Sequence, residues 1–509
     1  MREPIDLLQD ALIDARGPGA AIPFDNTYAR LPERFYSRVR PSAVATPGLI
    51  QLNVRLAEQL GLDADWLASA EGVQVLAGNV VAQGSEPLAQ AYAGHQFGHF
   101  VPQLGDGRAN LLGEVTARDG ARYDIQLKGS GPTPFSRRGD GRAALGPVLR
   151  EYIVSEAMAA LGVPTTRALA AVTTGENVIR ETVVPGAVFT RVAASHLRVG
   201  TFQYFAARGD TEGIRMLADY AIARHYPGIA GSQRRYRALL DGVIERHARL
   251  VAQWMLLGFI HGVMNTDNTS ISGETLDYGP CAFMEAYEPD KVFSSIDHQG
   301  RYAFGSQPQA ALWNLTRLAE TLLPLLAEEK GGEKGAQASA VEALDAFAPQ
   351  MRAAHGAGLR RKLGLGTEQS GDMAMVEDLL ERMTVNRADF TLTFRGLCDL
   401  AEGHGTVREL FEDANSFDTW AMGWRGRLES EGESAEVLTA RMRTVNPAVI
   451  PRNHRVQEVI DAAVGRSDFQ PFEALLDAVT QPFVERAGME RYALAALPEE
   501  RVSQTFCGT

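Results

Sequence analysis

The sequence predicts an α+β protein with two lobes and with extensions at both ends of the chain. Three observations carry this prediction. Short strand patterns and Gly-rich turns are concentrated between about residues 92 and 200. Amphipathic helical periodicity dominates from about Phe202 onward. Between two helical patterns lies a polar stretch, HGVMNTDNTSISGETLDYGP, which runs from His261 to Pro280 and around which the other motifs are arranged.

The composition sets the broad class of the protein. A chain of 509 residues with 45% hydrophobic and 22% charged residues is typical of a soluble globular protein. Its net charge of −13 argues against general nucleic-acid binding, which needs a basic surface. No run approaches the roughly 20 apolar residues of a membrane span, and the N-terminal MREPIDLLQDALIDAR lacks the apolar core of a signal peptide. The presence of only three cysteines favours a reducing cytoplasm. From the charge and the hydropathy we expect neither nucleic-acid nor membrane partners.

We expect four segments along the chain. They are an N-terminal extension (residues 1–85), a small lobe with a nucleotide loop (86–200), a large lobe with a metal loop (201–330) and a helical C-terminal extension (331–509). The clearest linker pattern is KGGEKG, at residues 330–335. In the first segment, only residues 53–68 have a clear helical pattern.

The small lobe contains a Gly-rich loop, a strand hairpin and a helix. Gly105-Asp-Gly107-Arg108 leads into an apolar strand, and Arg-Asp-Gly at positions 118–120 predicts a tight hairpin turn. The second strand alternates polar and apolar residues and ends near Lys128. A helix with Glu151 near its start follows, and Gly-Val-Pro at positions 162–164 ends it.

The polar stretch has the spacing of a kinase catalytic loop. His261 and Asn268 are seven residues apart, as are the His and Asn of the kinase pattern H-R-D-L-x-x-x-N. Asp277-Tyr-Gly stands where a kinase has its second metal-binding aspartate. Where a kinase has its catalytic base, this chain has Val263, which cannot accept a proton. The stretch therefore keeps metal-holding residues and lacks the usual base.

Helical patterns surround this stretch. ALLDGVIERHARLVAQWMLLGFIHG precedes it directly, and ALWNLTRLAETLLPLLAEE follows it. VQEVIDAAVG and FEALLDAVT are helical patterns of the C-terminal extension.

The order of these parts is that of a protein-kinase-like domain. Backbone amides of a Gly loop approach phosphates closely, a strand lysine neutralises their charge, and a helix glutamate holds that lysine. Asn and Asp oxygens then hold Mg²⁺. Each match alone is weak, because a Gly loop is more often a turn and Lys128 alone is more often a solvated strand charge. In this order, they predict a protein-kinase-like two-lobed fold with a nucleotide site.

Several long stretches resemble the selenoprotein O family, whose members are kinase-like protein adenylyltransferases. The stretches are FDNTYARLPERFYSRV, YAGHQFGHFVPQLGDGRA, DIQLKGSGPTPFSRRGDGRA, HGVMNTDNTSISGETLDYGPCAFME and NPAVIPRNH. They span most of the chain and are unusual in composition, so the resemblance is specific.

The resemblance implies a role for each matching residue. Lys128 is the expected phosphate-binding lysine, held by Glu151, and Asp267 is the expected proton acceptor. The expected nucleotide contacts are Gly105, Gly107, Arg108, Asp140, Gly141 and Asp277, with Arg191 and Arg198 as a clamp on the terminal phosphate. The expected ligands of Mg²⁺ or Mn²⁺ are Asn268 and Asp277. The nucleotide is expected to lie reversed relative to a kinase, so that AMP passes from ATP to Ser, Thr or Tyr hydroxyls of proteins and pyrophosphate leaves.

The resemblance also implies a role for two cysteines. Cys507 lies third from the end of the sequence, where eukaryotic relatives carry selenocysteine, and Cys281 follows Asp277 by four residues. A Cys281–Cys507 disulfide would fasten the tail over the site and make activity redox-dependent. Two unrelated thiols are the alternative.

Three other functions remain open at the level of the sequence. The first is a close variant of AMP transfer, in which the enzyme uses UTP and transfers UMP, since a clamp on a triphosphate does not identify the base. Ordinary phosphorylation with Asp267 as a relocated base is the second. A pseudokinase scaffold that binds nucleotide without catalysis, suggested by Val263, is the third.

Overall fold

The computed structural model describes residues 22–506. It is a mixed α/β structure whose strands are, in chain order, β1 Tyr36–Arg38, β2 Gly48–Leu52, β3 Leu88–Gln90, β4 Gly94–Gln96, β5 His99–Val101, β6 Ala109–Thr116, β7 Arg122–Lys128, β8 Ala143–Ala144, β9 Arg167–Ile179, β10 Val183–Ala193, β11 Phe259–Ile260 and β12 Ala282–Phe283. The helices are α1 Val54–Gln59, α2 Ala64–Ala68, α3 Ala70–Leu76, α4 Leu145–Ala160, α5 Val199–Ala206, α6 Thr211–His225, α7 Arg235–Leu257, α8 Gln307–Lys330, α9 Glu333–Asp345, α10 Phe347–Lys362, α11 Asp372–Asn386, α12 Phe390–Ala401, α13 Ala414–Glu429, α14 Ala435–Arg443, α15 Asn453–Arg466 and α16 Gln470–Val479.

One antiparallel sheet organises the first part of the chain. Its strands lie in the order β1-β3-β6-β7-β10-β9-β2, and the short strand β8 pairs with β10. Strands β4 and β5 form a separate hairpin, and β11 pairs with β12. The segment expected to be only an extension supplies β1 and β2, which are the two ends of the sheet order. The sequence reading missed both strands.

The hairpin predicted around residues 118–120 is confirmed. Strands β6 and β7 pair antiparallel, and Gly120 in the turn has a φ of +82°. Ile125 and Leu127 of β7 lie in an apolar cluster on one face of the sheet. Because side chains alternate along a strand, Lys128 belongs to the opposite face, at the end of β7 and paired with Ala109 and Phe189.

Helices cover both faces of the sheet. Apolar residues of α1, α2 and α3 pack in the cluster that contains Ile125 and Leu127. On the other face, Leu149 and Ile153 of α4 share a cluster with Val459 of α15 and Leu475 of α16. The last two helices therefore support the helix that carries Glu151. This contribution of the C-terminal segment had no signal in the sequence.

A third and larger apolar cluster extends from Tyr28 to Ile450 and includes residues of helices α5 to α14. The helical patterns predicted before and after the polar stretch are confirmed as α7 and α8.

The linker predicted at positions 330–335 is wrong in most of its length. Only Gly331 and Gly332 separate α8 from α9, because Gly331 in a left-handed conformation ends α8 and Glu333 already begins α9.

The single helical pattern at residues 53–68 is two helices, α1 and α2, with Gly61 at a φ of +75° between them. The patterns VQEVIDAAVG and FEALLDAVT are confirmed as α15 and α16. Among residues 22–506, no helix is both long and apolar enough to span a membrane.

Candidate active site

A cavity of about 970 Å³ lies where the sheet, the start of α4 and the polar stretch meet. It brings together twelve residues that the sequence singled out: Gly105, Gly107, Arg108, Lys128, Asp140, Gly141, Glu151, Arg191, Arg198, Asp267, Asn268 and Asp277. Residues more than 170 positions apart in the chain therefore share one concave surface. Cys281 does not line the cavity, although Pro280 does. Cys507 lies outside the described residues.

Lys128 is held by two carboxylates. Its Nζ donates to Glu151 Oε2 at 2.6 Å and also to Asp277 Oδ1. Its side chain is 12% exposed, so the charge lies at the inner wall of the cavity. Burial alone would raise the pKa of Asp277, but Lys128 and Arg191 outweigh it and hold that pKa well below its usual range. Asp277 is therefore an anion at neutral pH.

Arg191 is paired with two carboxylates and one side-chain amide. Its Nη1 donates to Asp277 Oδ1 at 3.0 Å and to Glu151 Oε1 at 3.3 Å. Its Nε and Nη2 both donate to Gln126 Oε1, which lies directly opposite on β7. With only 2% of its side chain exposed, Arg191 links the sheet to α4 and to the polar stretch.

Arg198 comes immediately before α5 and is equally buried. Its Nη1 donates to the Asp267 carbonyl at 3.1 Å, and its guanidinium lies 4.3 Å from the centre of the Tyr92 ring. The nearest carboxylate oxygen, Asp106 Oδ1, is 3.6 Å from Nη2. The Nε atom is buried and has no hydrogen-bond partner within the described residues. An anion beside it would satisfy that donor.

The Gly loop is shaped by contact with a second loop, residues 131–141. A Cβ on Gly105 would lie 2.3 Å from the Phe135 ring, and Gly105 has a φ of +71°. Thr133 Oγ1 donates to the Asp106 carbonyl at 2.7 Å, and Ser136 Oγ donates to the Gly107 carbonyl. A side chain at position 105 would therefore separate the two loops.

Gly141 closes the second loop. A Cβ on Gly141 would lie 2.1 Å from the carbonyl group of Gly131, and Gly131 N donates to the Gly141 carbonyl at 3.0 Å. The neighbouring Asp140 is half exposed and pairs with Arg180 Nη1 at 2.8 Å. The Asp140 carboxylate thus faces the cavity mouth, with Arg180 fixing its position.

Asp267 is buried against the β4–β5 hairpin. A Cβ on Gly94 would lie 2.5 Å from Asp267 Oδ1, so only glycine permits this approach. Gln96 Nε2 lies 3.4 Å from Oδ2, and Oδ1 accepts no hydrogen bond from the described residues. Burial raises the pKa of Asp267 to about 6, although Arg198 works against this rise.

Asn268 and Asp277 offer the oxygen ligands that a metal ion would need. Asn268 donates its Nδ2 to the Val263 carbonyl at 3.1 Å, which leaves the amide oxygen to a ligand. Asp277 has a φ of +69°, a strained conformation for a residue with a side chain. Within residues 22–506, no group of three or more His, Cys, Asp or Glu side chains could hold a metal. Two protein oxygens suit Mg²⁺, which commonly takes its other ligands from phosphates and water.

His261 supports the polar stretch and has no catalytic geometry. Its Nε2 lies 3.1 Å from the Leu276 carbonyl, and its backbone N–H donates to Gln307 Oε1. Burial lowers the pKa of His261, so the ring is neutral and donates to that carbonyl. Val263 lines the cavity at the place where a kinase would have its base.

The sequence reading missed four residues of this site. Gln126 holds Arg191, Asp106 accepts from Gln126 Nε2 at 3.2 Å, and Gly94 and Gln96 contact Asp267. Gly94 and Gln96 had a visible signal, because both lie in the stretch AYAGHQFGHF, which is dense in Gly, His and Gln. The roles of Gln126 and Asp106 depend on pairing between strands that the sequence does not display.

Comparison with known proteins identifies the family. A model of the family described as protein adenylyltransferase SelO matches residues 19–480. The chain belongs to the SelO family. It is 63% identical to the protein nucleotidyltransferase YdiU of Methylorubrum populi over 96% of this chain and 100% of that protein. It is 62% identical to the protein of the same name from Bradyrhizobium sp. ORS 278, over 96% of this chain and 99% of that protein.

Membership of the SelO family confirms two predictions from the sequence. The chain is an enzyme of the nucleotidyltransferase class, and its function is protein adenylylation. As an ATP-using member, it takes ATP as its substrate. The family match does not by itself assign a role to any residue.

Proposed function

We propose that this enzyme binds ATP in reverse relative to a kinase and transfers AMP to Ser, Thr or Tyr hydroxyls of proteins. One observation carries the proposal. Lys128, Arg191 and Arg198 all line one cavity and are all largely buried, while Asp267 borders the same cavity. The proposal includes a kinase-like two-lobed fold, with the sheet as the small lobe and helices α5 to α8 as the core of the large lobe. The ion pair between Lys128 and Glu151 supports it.

The buried cations explain why the γ-phosphorus is not attacked. A kinase transfers the phosphoryl group that it presents to the acceptor. If Lys128, Arg191 and Arg198 hold the γ-phosphate in the interior, that group cannot meet an incoming hydroxyl. Guanidinium groups suit this task because they bind phosphate oxygens in a bidentate manner. The α-phosphorus then faces the acceptor, and attack there releases pyrophosphate.

Asp277 has two cationic partners that ATP and a metal ion would replace. Its Oδ1 receives both Lys128 and Arg191. We infer that Asn268 and Asp277 hold Mg²⁺ or Mn²⁺ when the nucleotide binds. The ion would supply charge neutralisation at the phosphates. Lys128 and Arg191 would then be released from Asp277 to contact phosphate oxygens, while Glu151 keeps Lys128 in place.

Asp267 is the acceptor of the substrate hydroxyl proton in this proposal. It borders the cavity, is 7% exposed and stands next to Asn268. A carboxylate in hydrogen-bond reach of a hydroxyl can orient it and remove its proton. The buried Val263 cannot do this, so the base stands four positions later in the chain than the kinase pattern has it.

The experiment that tests the proposal uses ATP labelled on either the α- or the γ-phosphate. We expect an acceptor protein to become labelled only from the α position. Label from γ alone would establish a kinase, and no label from either would establish a scaffold. UTP labelled on the α-phosphate, used in the same assay, tests the alternative transfer of UMP.

The redox arrangement implied by Cys281 and Cys507 is part of the proposal. Thr505 Oγ1 donates to the Pro280 carbonyl at 2.5 Å, immediately before Cys281. The backbone of Thr505 also pairs with Phe293 and Ser295, so the last described residues run beside the end of the polar stretch. Detection of a disulfide-linked Cys281–Cys507 peptide in the oxidised protein would support this arrangement. So would a Cys507→Ala variant whose activity no longer depends on added thiol.

We also propose a cytoplasmic location, which the small number of cysteines favours.

A further inference from the structure

The mouth of the cavity carries two arginines in a backbone conformation that arginine rarely adopts. Arg137 and Arg138 have φ values of +52° and +97°. Gly139 N donates to the Ser136 carbonyl at 2.7 Å, so the two arginines are the central pair of a tight turn. Positive φ at both central positions is the geometry of a type I′ turn, in which Gly, Asn and Asp predominate.

Strained residues concentrate at this cavity. Six non-glycine residues between positions 22 and 506 have positive φ, and four of them line the cavity: Phe97, Arg137, Arg138 and Asp277. The other two, Arg387 and Ser467, end helices α11 and α15. A left-handed residue at a helix end is ordinary, whereas two consecutive ones with long side chains need a reason.

Neither arginine has a carboxylate partner. Among the described residues, no Asp or Glu oxygen lies within 4.0 Å of a nitrogen of Arg137 or Arg138, and both side chains are exposed. Other cations of the cavity do have partners, such as Lys128 with Glu151 and Arg180 with Asp140. Eight Lys or Arg side chains line the cavity against five carboxylates, although the whole chain carries a net charge of −13. The cavity cations that have no carboxylate partner among the described residues are Arg108, Arg137 and Arg138.

The turn is held firmly in place. The ends of the 131–141 loop are joined by the Gly131–Gly141 hydrogen bond and by a bridge between Ser130 and Arg142. Its middle is fixed to the Gly loop through Phe135 and through the Ser136 hydroxyl. The loop therefore carries its two arginines as a fixed pair over the Gly loop.

We propose that Arg137 and Arg138 bind the polyphosphate of the nucleotide from the outer side of the cavity. This inference rests on the proposed nucleotide site and adds two binding residues to it. The buried cations and the Arg137–Arg138 turn would then enclose the phosphate chain from two sides. Arginine suits the position because its planar fork binds phosphate oxygens and keeps its charge at any physiological pH.

The test compares Arg137→Gly/Arg138→Gly with Arg387→Gly. Glycine fits positive φ, so each substitution removes charge without disturbing the backbone. Arg387 is a matched control, because it is exposed, has a φ of +52° and does not line the cavity. Binding of a non-hydrolysable ATP analogue and of adenosine, with thermal unfolding, is measured for the wild-type enzyme and each variant.

We expect the double variant to lose at least about tenfold in affinity for the ATP analogue and to bind adenosine as the wild-type enzyme does. Its melting temperature should equal or exceed that of the wild-type enzyme. Arg137→Lys/Arg138→Lys, which keeps the charge, should recover part of the affinity. Arg387→Gly should bind the analogue normally.

Unchanged affinity of the double glycine variant for the analogue would overturn the inference, and so would an equal loss in Arg387→Gly. A raised KM for the acceptor protein with unchanged nucleotide affinity would also overturn it and would assign the turn to acidic acceptor segments. If the wild-type enzyme itself failed to bind the analogue, the proposed nucleotide site would be wrong. The two failures are therefore distinguishable.

Discussion

Two lysines that are buried or largely buried lie in opposite surroundings in this molecule. Lys128, in the cavity, contacts the carboxylates of Glu151 and Asp277. Lys362, at the end of α10, is 3% exposed and lies over the rings of Phe394, at 4.5 Å, and Phe390, at 5.6 Å. Among the described residues, no carboxylate lies within ion-pair distance of Lys362. Burial lowers the pKa of Lys362 to about 7.

Lys128 is therefore placed to contact a ligand in the cavity, whereas Lys362 packs against aromatic rings outside it. Lys128 forms ion pairs with two carboxylates, and its ammonium group can exchange one of them for a phosphate oxygen. Lys362 gains no such compensation, so its charge is held at a cost to the folded state. We therefore expect substitutions at the cavity to remove activity, and substitutions at Lys362 to change stability alone.

The largest effect is expected at Asp277. Asp277→Ala removes the carboxylate that we assign to the metal and leaves Lys128 and Arg191 without one of their partners. AMP transfer should fall by about 1,000-fold or more, because the charge on the phosphates is no longer neutralised. Initial rates with α-labelled ATP measure this loss.

The control for Asp277 is Asp372→Ala, which removes a buried carboxylate from Arg427 in the helical region. It should lower the melting temperature and leave the specific activity of folded enzyme unchanged. Retention of transfer by Asp277→Ala would contradict the metal assignment.

A smaller but still large loss is expected at Lys128. Lys128→Met removes the cation that receives the phosphate, and transfer should fall by about 100-fold or more. Lys362→Met should transfer AMP within about twofold of the wild-type rate and should be more stable at pH 7 by roughly 1–4 kcal/mol. Initial rates and urea unfolding of the two variants give both quantities. Equal loss of activity in the two would erase the distinction between the regions.

A loss of about tenfold in kcat is expected for Gly94→Ala. The added Cβ would lie 2.5 Å from Asp267 Oδ1 and must displace the carboxylate or the hairpin. Gly423→Ala, in α13, is the matched control because an added Cβ meets nothing within 4 Å there. The control should retain kcat and gain stability. If Gly94→Ala retains kcat as well, the close approach of the hairpin has no role in the reaction.

The smallest effect is the pH dependence of stability that Lys362 contributes. Its pKa is about 7 in the folded protein and 10.5 ordinarily, so between these values the unfolded chain binds a proton that the folded protein does not. The free energy of unfolding should therefore rise with pH over this range, by at most about 1.4 kcal/mol per pH unit. Lys362→Met should lack this contribution. Urea unfolding of both proteins at several pH values measures it, and identical slopes would show that Lys362 keeps its ordinary pKa.

The sequence predicted those parts of the site that depend on local pattern. Lys128 and Glu151 were recognised because one lies on a predicted strand and the other on the predicted helix that follows. Asn268 and Asp277 were recognised from their spacing within the polar stretch. All four line the same cavity.

The parts that the sequence could not predict depend on long-range pairing. Strands β1 and β2 are short and join the sheet only through β3 and β9. Gln126 becomes the partner of Arg191 only because β7 and β10 pair in that register. The burial of Lys362 was equally invisible, since a lysine near the end of an amphipathic helix is ordinarily solvated. In each case the decisive contact joins residues far apart in the chain.

The most direct test of the reversed nucleotide is a crystal structure of the enzyme with a non-hydrolysable ATP analogue and Mg²⁺. The account predicts that oxygens of the γ-phosphate lie about 3 Å from nitrogens of Lys128, Arg191 or Arg198, and that the α-phosphorus is the phosphorus nearest to Asp267. A γ-phosphorus nearest to Asp267, with the base in the interior beside Arg198, would contradict it.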